Sequence, residues 1–201
     1  MSNAHHRPKQ PDATKQQLVS VATRLAVEQG VAGLTLDAVI RGAGISKGGL
    51  QHHFPTKASL LEELVNGLID AIVVEIEAET ERDPVPQGAA ARAYLRVVAD
   101  MGDRPPEMQH WRALTIACYV EPALWQRWRD ASNRLRALDF ADGSDPEEGL
   151  AVRLIAEGLW ASDMFDLYGI TPEQRRSLLA RYAPGRTKAA GARKRAAKSG
   201  A

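Results

Sequence analysis

The chain has 201 residues, 26 basic and 25 acidic side chains, one cysteine and 44% apolar residues. That apolar share supports a sizeable core and excludes wholesale disorder, while the single Cys118 excludes an internal disulfide framework and a cysteine zinc cluster. No apolar run approaches the roughly 18 residues of a membrane span, and the polar stretch Met1 to Pro11 carries no secretory apolar segment, so a cytoplasmic protein with no membrane partner is expected.

The pattern of apolar and capping residues predicts helices throughout. Leu18, Val21, Ala22, Leu25 and Ala26 form one stripe of an amphipathic helix that begins near Asp12 or Thr14 and stops at Gly30. Thr35 caps a second, short helix with Asp37 in its first turn, and Gly42 and Gly44 end it. Ser46 caps a third that runs to about His53. Thr56 caps a fourth, with Leu60, Leu61, Leu64, Leu68 and Ile72 carrying it to about Glu79. After a proline-containing break at Arg82 to Gly88, Ala89 to Met101 forms the next helix. Pro105 and Pro106 open one that holds Trp111, Leu114, Thr115 and Cys118, and Pro122 opens one that holds Trp125, Trp128 and Leu135. A loop at Ala141 to Ser144 precedes the start signal Asp145-Pro146-Glu147-Glu148, whose helix reaches Tyr168 and ends at Gly169. Thr171 and Gln174 make a capping box for a last helix to about Tyr182, and the Ala-, Gly-, Lys- and Arg-rich tail from Ala183 reads as disordered. No stretch alternates with period two, so the fold class is all-α.

The net charge of +1 hides a partition. Residues 1–60 carry seven basic and three acidic side chains, residues 61–182 carry 13 and 22, and residues 183–201 carry six and none. Basic ends around an acidic body point to an acidic partner such as nucleic acid, although solvated ends would look the same.

Residues 35–54 sharpen that choice. A helix of two turns, the turn Ala43-Gly44-Ile45 and a second short helix make a helix-turn-helix. Gly44 supplies the positive φ of the reversal, and Ile45 packs into the seam. The third helix presents Ser46, Lys47, Gly48, Gly49, Gln51 and His52, small and hydrogen-bonding residues suited to a groove, and leans on Leu50 and Phe54. From Gly30 through Thr35-Leu36, Ala43-Gly44-Ile45-Ser46, Lys47-Gly48-Gly49-Leu50 and His53-Phe54 to Lys57 and Leu60-Leu61, residues 14–64 resemble the DNA-binding domain of the TetR family of bacterial transcriptional regulators.

The resemblance implies an N-terminal three-helix helix-turn-helix domain joined to a larger helical ligand-binding and dimerisation domain. It also implies a homodimer that represses from a palindromic operator on double-stranded DNA until a small-molecule effector releases it. An activator of the same fold, or a helical protein-interaction module with no DNA role, remains open at this point. The expected division is a basic disordered arm at 1–13, the reader at 14–60, the effector-binding and dimerisation body at 61–182 and a disordered basic tail at 183–201. DNA-contact candidates are Thr35, Ser46, Lys47, Gly48, Gly49, Gln51, His52, His53 and Lys57, with Arg7, Lys9 and Lys15 as an arm. The chain departs from the family pattern at Gln51, where tyrosine is usual, and at Ile40, where alanine is usual at a close helix crossing.

Effector-pocket candidates are Met101, Trp111, Thr115, Trp128, Trp160 and Met164, an aromatic and methionine-rich group suited to an apolar or aromatic ligand. Asp100, Glu157 and Asp163 would favour a cation if they face the cavity. Helices at about 146–168 and 172–182, with Leu150, Leu154, Gly158, Ala161 and Phe165, are the expected dimer seam. Two recognition helices would then sit about 34–36 Å apart or a multiple of it. No cofactor, metal or enzymatic activity is expected. His5-His6 and His52-His53 lack the i, i+4 spacing of helical ligands, and Cys118 sits in an apolar run.

Overall fold

The computed structural model describes residues 10–120, 122–141 and 143–184, and every element among them is helical. In chain order the helices are α1 (Gln10–Gly33), α2 (Leu36–Ala43), α3 (Lys47–His53), α4 (Lys57–Glu81), α5 (Ala89–Gly102), α6 (Pro105–Val120), α7 (Pro122–Ala141), α8 (Pro146–Phe165) and α9 (Pro172–Tyr182). Arg7, Lys9 and the His5-His6 pair, and the tail from Gly185 on, lie outside the described residues, whereas Ala183, expected to begin the disordered tail, is buried in the second of the cores described below.

The caps are those the residue types dictate. Thr35 accepts from the Ala38 N–H, Ser46 from Gly49, Thr56 from Ser59 and Thr171 from Gln174. Gly30, expected to stop the first helix, breaks its dihedrals with φ 71° and ψ 169°, and a short turn continues to Gly33. Three expectations need correction. α1 begins at Gln10, so residues 10–13 of the expected disordered arm are helical. Gly42 does not end α2, which runs on to Ala43 and is closed by Gly44 at φ 65°. Gly42 is there for space: a Cβ on it would come within 2.7 Å of Val21 Cγ1 on α1. The tight α1–α2 contact thus falls at Gly42, while Ile40 is half-buried against the core. α8 stops at Phe165 rather than Tyr168, because Asp166 already takes a left-handed conformation at φ 54°, followed by Tyr168 and Gly169.

Two packed cores organise the molecule. The first gathers Leu18, Leu25, Val39, Leu50, Phe54, Leu60 and Leu64 from α1 to α4, and also Leu114, Ala117, Leu124 and Ala131 from α6 and α7. The second is built on α5, apolar on nearly every side, packed between α4 and α8 with Ile72, Ile76, Leu95, Val98, Ala156 and Leu159. Leu68, Val73 and Trp128 touch both. α4 is 25 residues, about 37 Å long, and its buried side chains run from Leu60 in the first core to Ile76 in the second.

Candidate nucleic-acid interface and effector cavity

α3 is held from beneath and open on its other face. Leu50 has no exposed surface and Phe54 is 2% exposed, so both anchor the helix in the first core, as expected for Phe54. Ser46, Lys47, Gly48, Gln51 and His52 are exposed, and Gly49 and His53 are half-buried. Nothing lies within 4 Å of a Cβ built on Gly48, so a groove wall can approach the backbone there. At Gly49 such an atom would meet Ser46 Oγ at 3.4 Å. The His52 and His53 rings meet edge to face at 5.1 Å, and His53 leans toward Phe54.

The scaffold behind this face is tied by specific bonds. Gln17 Nε2 donates to the Ala43 carbonyl at 2.8 Å, fixing the end of α2 against α1. Lys57 Nζ donates to the Val31 carbonyl at 2.6 Å. The Lys57 side chain therefore locks α4 to the turn after Gly30, a structural role its sequence position did not suggest, and leaves backbone N–H groups as the donors at that helix start. Lys15 pairs with Glu63 at 2.7 Å. Thr35 is exposed at the start of α2. The candidate DNA-contact residues thus fall on three helix starts and one exposed helix face.

A second site lies behind α6 and α7. A cavity of about 80 Å³ is lined by Val65, Leu68 and Ile69 of α4, Trp111, Leu114, Thr115 and Cys118 of α6, Trp125 and Trp128 of α7, and Glu157 and Trp160 of α8. Trp128 stacks on Trp160 at 6.4 Å and meets Trp111 edge to face at 5.6 Å. Trp160 Nε1 is buried with no acceptor among the described residues. Four of the six pocket candidates, Trp111, Thr115, Trp128 and Trp160, are here. Met101 and Met164 are not: at 2% and 6% exposed they fill the second core, because α5 and α8 bury their facing sides in each other. The apolar wall of α4 and the partly exposed Trp125 were missed, since an i, i+4 apolar repeat looks the same whether it faces a core or a cavity.

Of the three carboxylates considered for a cation, only Glu157 faces this space. Its Oε1 accepts from the Tyr94 hydroxyl at 2.5 Å. Burial, then the Glu157 charge, pushes the Tyr94 pKa well above its ordinary value, so the phenol stays a donor. Asp163 is instead neutralised by Arg175, whose Nη2 donates at 2.6 Å. Gly102 admits that pair, since a Cβ there would collide with Asp163 Oδ2 and the Arg175 guanidinium. Asp100 lines neither this cavity nor its neighbour. Burial raises the Cys118 thiol pKa, the opposite of what an activated nucleophile needs.

The neighbouring cavity, of about 220 Å³, lies between α4, α7 and α8 and shares Ile69, Trp128 and Glu157 with the first. Arg153 on its wall is held by Asp139 at 2.5 Å and by the Leu135 carbonyl at 2.8 Å.

Comparisons with known proteins agree with this geometry. Residues 18–64 match the family model described as bacterial regulatory proteins, tetR family, and residues 88–182 match the tetracyclin repressor-like C-terminal domain. The chain is 30% identical over 172 residues to the HTH-type transcriptional regulator BetI of Pseudomonas aeruginosa, covering 76% of this chain and 84% of that one. Its fold is similar to that of the multidrug binding protein EbrR complexed with malachite green, with a TM-score of 0.65, 21% identity and coverage of 82% of this chain and 95% of that one. It is also similar to NalD, the secondary repressor of the MexAB-OprM multidrug efflux pump in Pseudomonas aeruginosa, with a TM-score of 0.56, 19% identity and coverage of 85% and 94%. An exposed recognition helix, an aromatic cavity sharing its core and a match across both halves establish that the chain belongs to the TetR family of transcriptional regulators.

Proposed function

We propose that the protein is a homodimeric repressor that holds a palindromic operator through α3 and releases it when a small apolar or aromatic cation enters the cavity behind α6 and α7. One observation carries this reading. The cavity-wall residues Val65, Ile69 and Leu114 belong to the same packed core as Leu50 and Phe54, the anchors of the recognition helix. A close-packed core transmits displacement rather than absorbing it, so a ligand that pushes α6 or α7 outward also disturbs the seat of α3.

On DNA, Lys47, Gly48, Gln51 and His52 would face the major groove, with Gly49 allowing close approach and His53 at its edge. The helix starts at Thr35, Ser46 and Lys57 would hold phosphates through backbone N–H groups. In the cavity, Glu157 would balance a positive charge among the indoles of Trp111, Trp125, Trp128 and Trp160. Malachite green, the dye bound in the EbrR complex, is a suitable first probe.

The dimer seam would be the outer face of α8 with α9. Leu154 is 61% exposed and Phe165 56%, and Leu150, Leu167 and Tyr168 are exposed with them. Gly158 on the same helix has open space around it, room for a partner helix. The reader would comprise residues 14–60 and the body 61–182, acting in the cytoplasm with no catalytic role.

Selection of bound genomic DNA fragments with and without lipophilic cations tests the reading. We expect palindromic fragments whose retention falls when the cation is added. Retention without sequence preference, or palindromes that cations leave bound at cavity saturation, would contradict it.

A further inference from the structure

We infer that the two adjoining cavities are one effector compartment partitioned by Trp128, and that its occupant is an elongated amphiphile with a compact cationic head at Glu157 and an aliphatic chain. The head rests on the effector reading above; the chain and the partition do not follow from it.

Size makes the first case. A cavity of about 80 Å³ is far smaller than the roughly 300–1,000 Å³ of drug-sized sites. The outer cavity of about 220 Å³ brings the joined space to the lower edge of that range. The wall between them is one side chain thick, because Ile69, Trp128 and Glu157 line both. Trp128 is half-buried, belongs to both cores and is held by ring contacts with Trp111 and Trp160, which a rotation of its side chain can exchange for contacts with a ligand.

Chemistry divides the compartment. The inner chamber has aromatic walls and one carboxylate, a setting for a compact cation. The outer chamber sets the aliphatic Ile72, Val73, Leu135, Leu150 and Leu154, which suit a hydrocarbon chain, opposite a polar edge of Ser132, Asn133 and Arg136. Of its two arginines, the buried Arg153 is neutralised by Asp139, and Arg136 lies on the exposed side of α7.

The test uses the full-length protein and a series of alkyltrimethylammonium salts, from tetramethylammonium through butyl, hexyl and octyl chains, titrated by calorimetry below their micelle concentrations. We expect affinity to rise about threefold to fourfold for each methylene until the outer chamber is filled. Ser132→Trp or Ile72→Phe, each of which narrows the outer chamber, should drive the octyl-to-tetramethyl affinity ratio toward one. Using the ratio within each variant removes any general loss of fold or affinity. Binding of tetramethylammonium with no gain along the series would overturn the two-chamber inference and leave the cation site standing. A gain that both narrowing variants preserve would overturn it as well, by placing the chain elsewhere. No binding by any member would overturn this inference, and malachite green, titrated beside the series, tests the cationic effector reading separately: its binding keeps that reading standing and its failure to bind removes it too.

Discussion

Around the helix-turn-helix the cations Arg41 and Lys47 are exposed, while Lys57 turns in to the Val31 carbonyl, and the core beneath is built from Leu18, Val39, Leu50 and Phe54. In the body four arginines turn inward. Arg92 and Arg96 reach Asp83 at 2.8 and 2.5 Å, Arg153 reaches Asp139 at 2.5 Å and Arg175 reaches Asp163 at 2.6 Å. The same residue types thus do different work. In the reader, charge is left on the surface, where DNA phosphates can meet it. In the body, charge fastens helix to helix, and arginine suits this because its planar fork donates to both carboxylate oxygens at once. Each pair withdraws carboxylate and cation together, so the excess of 22 acidic over 13 basic side chains in residues 61–182 persists, is repelled by DNA and favours approach through the basic end.

The largest expected effect tests whether the inward pairs are structural. Asp139→Ala leaves the buried Arg153 guanidinium without its carboxylate and should destabilise the fold by about 3–5 kcal/mol in denaturant unfolding. The double change Asp139→Leu with Arg153→Met should recover most of that loss, because the stranded charge is gone. A single variant of wild-type stability would break the comparison.

In the reader the equivalent is apolar. Leu50→Ala should cost about 2–5 kcal/mol and abolish operator retention, because α3 loses the side chain that seats it. Full operator affinity in this variant would show that α3 does not depend on that anchor.

The Asp83 corner gives a smaller, pH-dependent effect. Burial pushes the carboxyl up, but hydrogen bonds from Arg92, Arg96 and the Val85 N–H outweigh it and bring the pKa from 3.8 to about 2. A depressed folded-state pKa contributes stability that is fully present above about pH 4 and is lost as pH falls through 2. The shift corresponds to about 2 kcal/mol. Unfolding midpoints measured between pH 5 and pH 2 should fall more steeply for the wild type than for Asp83→Asn, and parallel curves would remove Asp83 from the acid response.

The smallest effect isolates the outward charge. Lys47→Ala should weaken operator binding across sequences and reduce the slope of log affinity against log salt by about 1. An unchanged slope would remove Lys47 from the interface.

The reader is legible in the sequence because each of its parts is a local signal. Thr35, Ser46 and Thr56 are caps acting three residues away, and Gly30 and Gly44 mark backbone conformations other residues adopt with strain. The cavity is legible only in part. Its indoles stand out by residue type, but whether a methionine on α5 or α8 faces a void or a neighbour depends on how two helices far apart in the chain meet. Met101 and Met164 lose that choice to helix packing, and Asp163 loses its freedom to Arg175, a pairing 12 residues away across a helix end. Gly42 is opaque for a related reason, since its role is set by Val21 on another helix.

The coupling of cavity to operator is tested most directly by one titration. Labelled operator bound to the protein is titrated with malachite green, while cavity occupancy is followed by quenching of the indoles, using wild type and Glu157→Gln. We expect operator release to track occupancy in the wild type, and both curves to move together to higher dye concentration in Glu157→Gln. Operator that stays bound while the cavity is saturated would contradict the shared core as the link between the two sites.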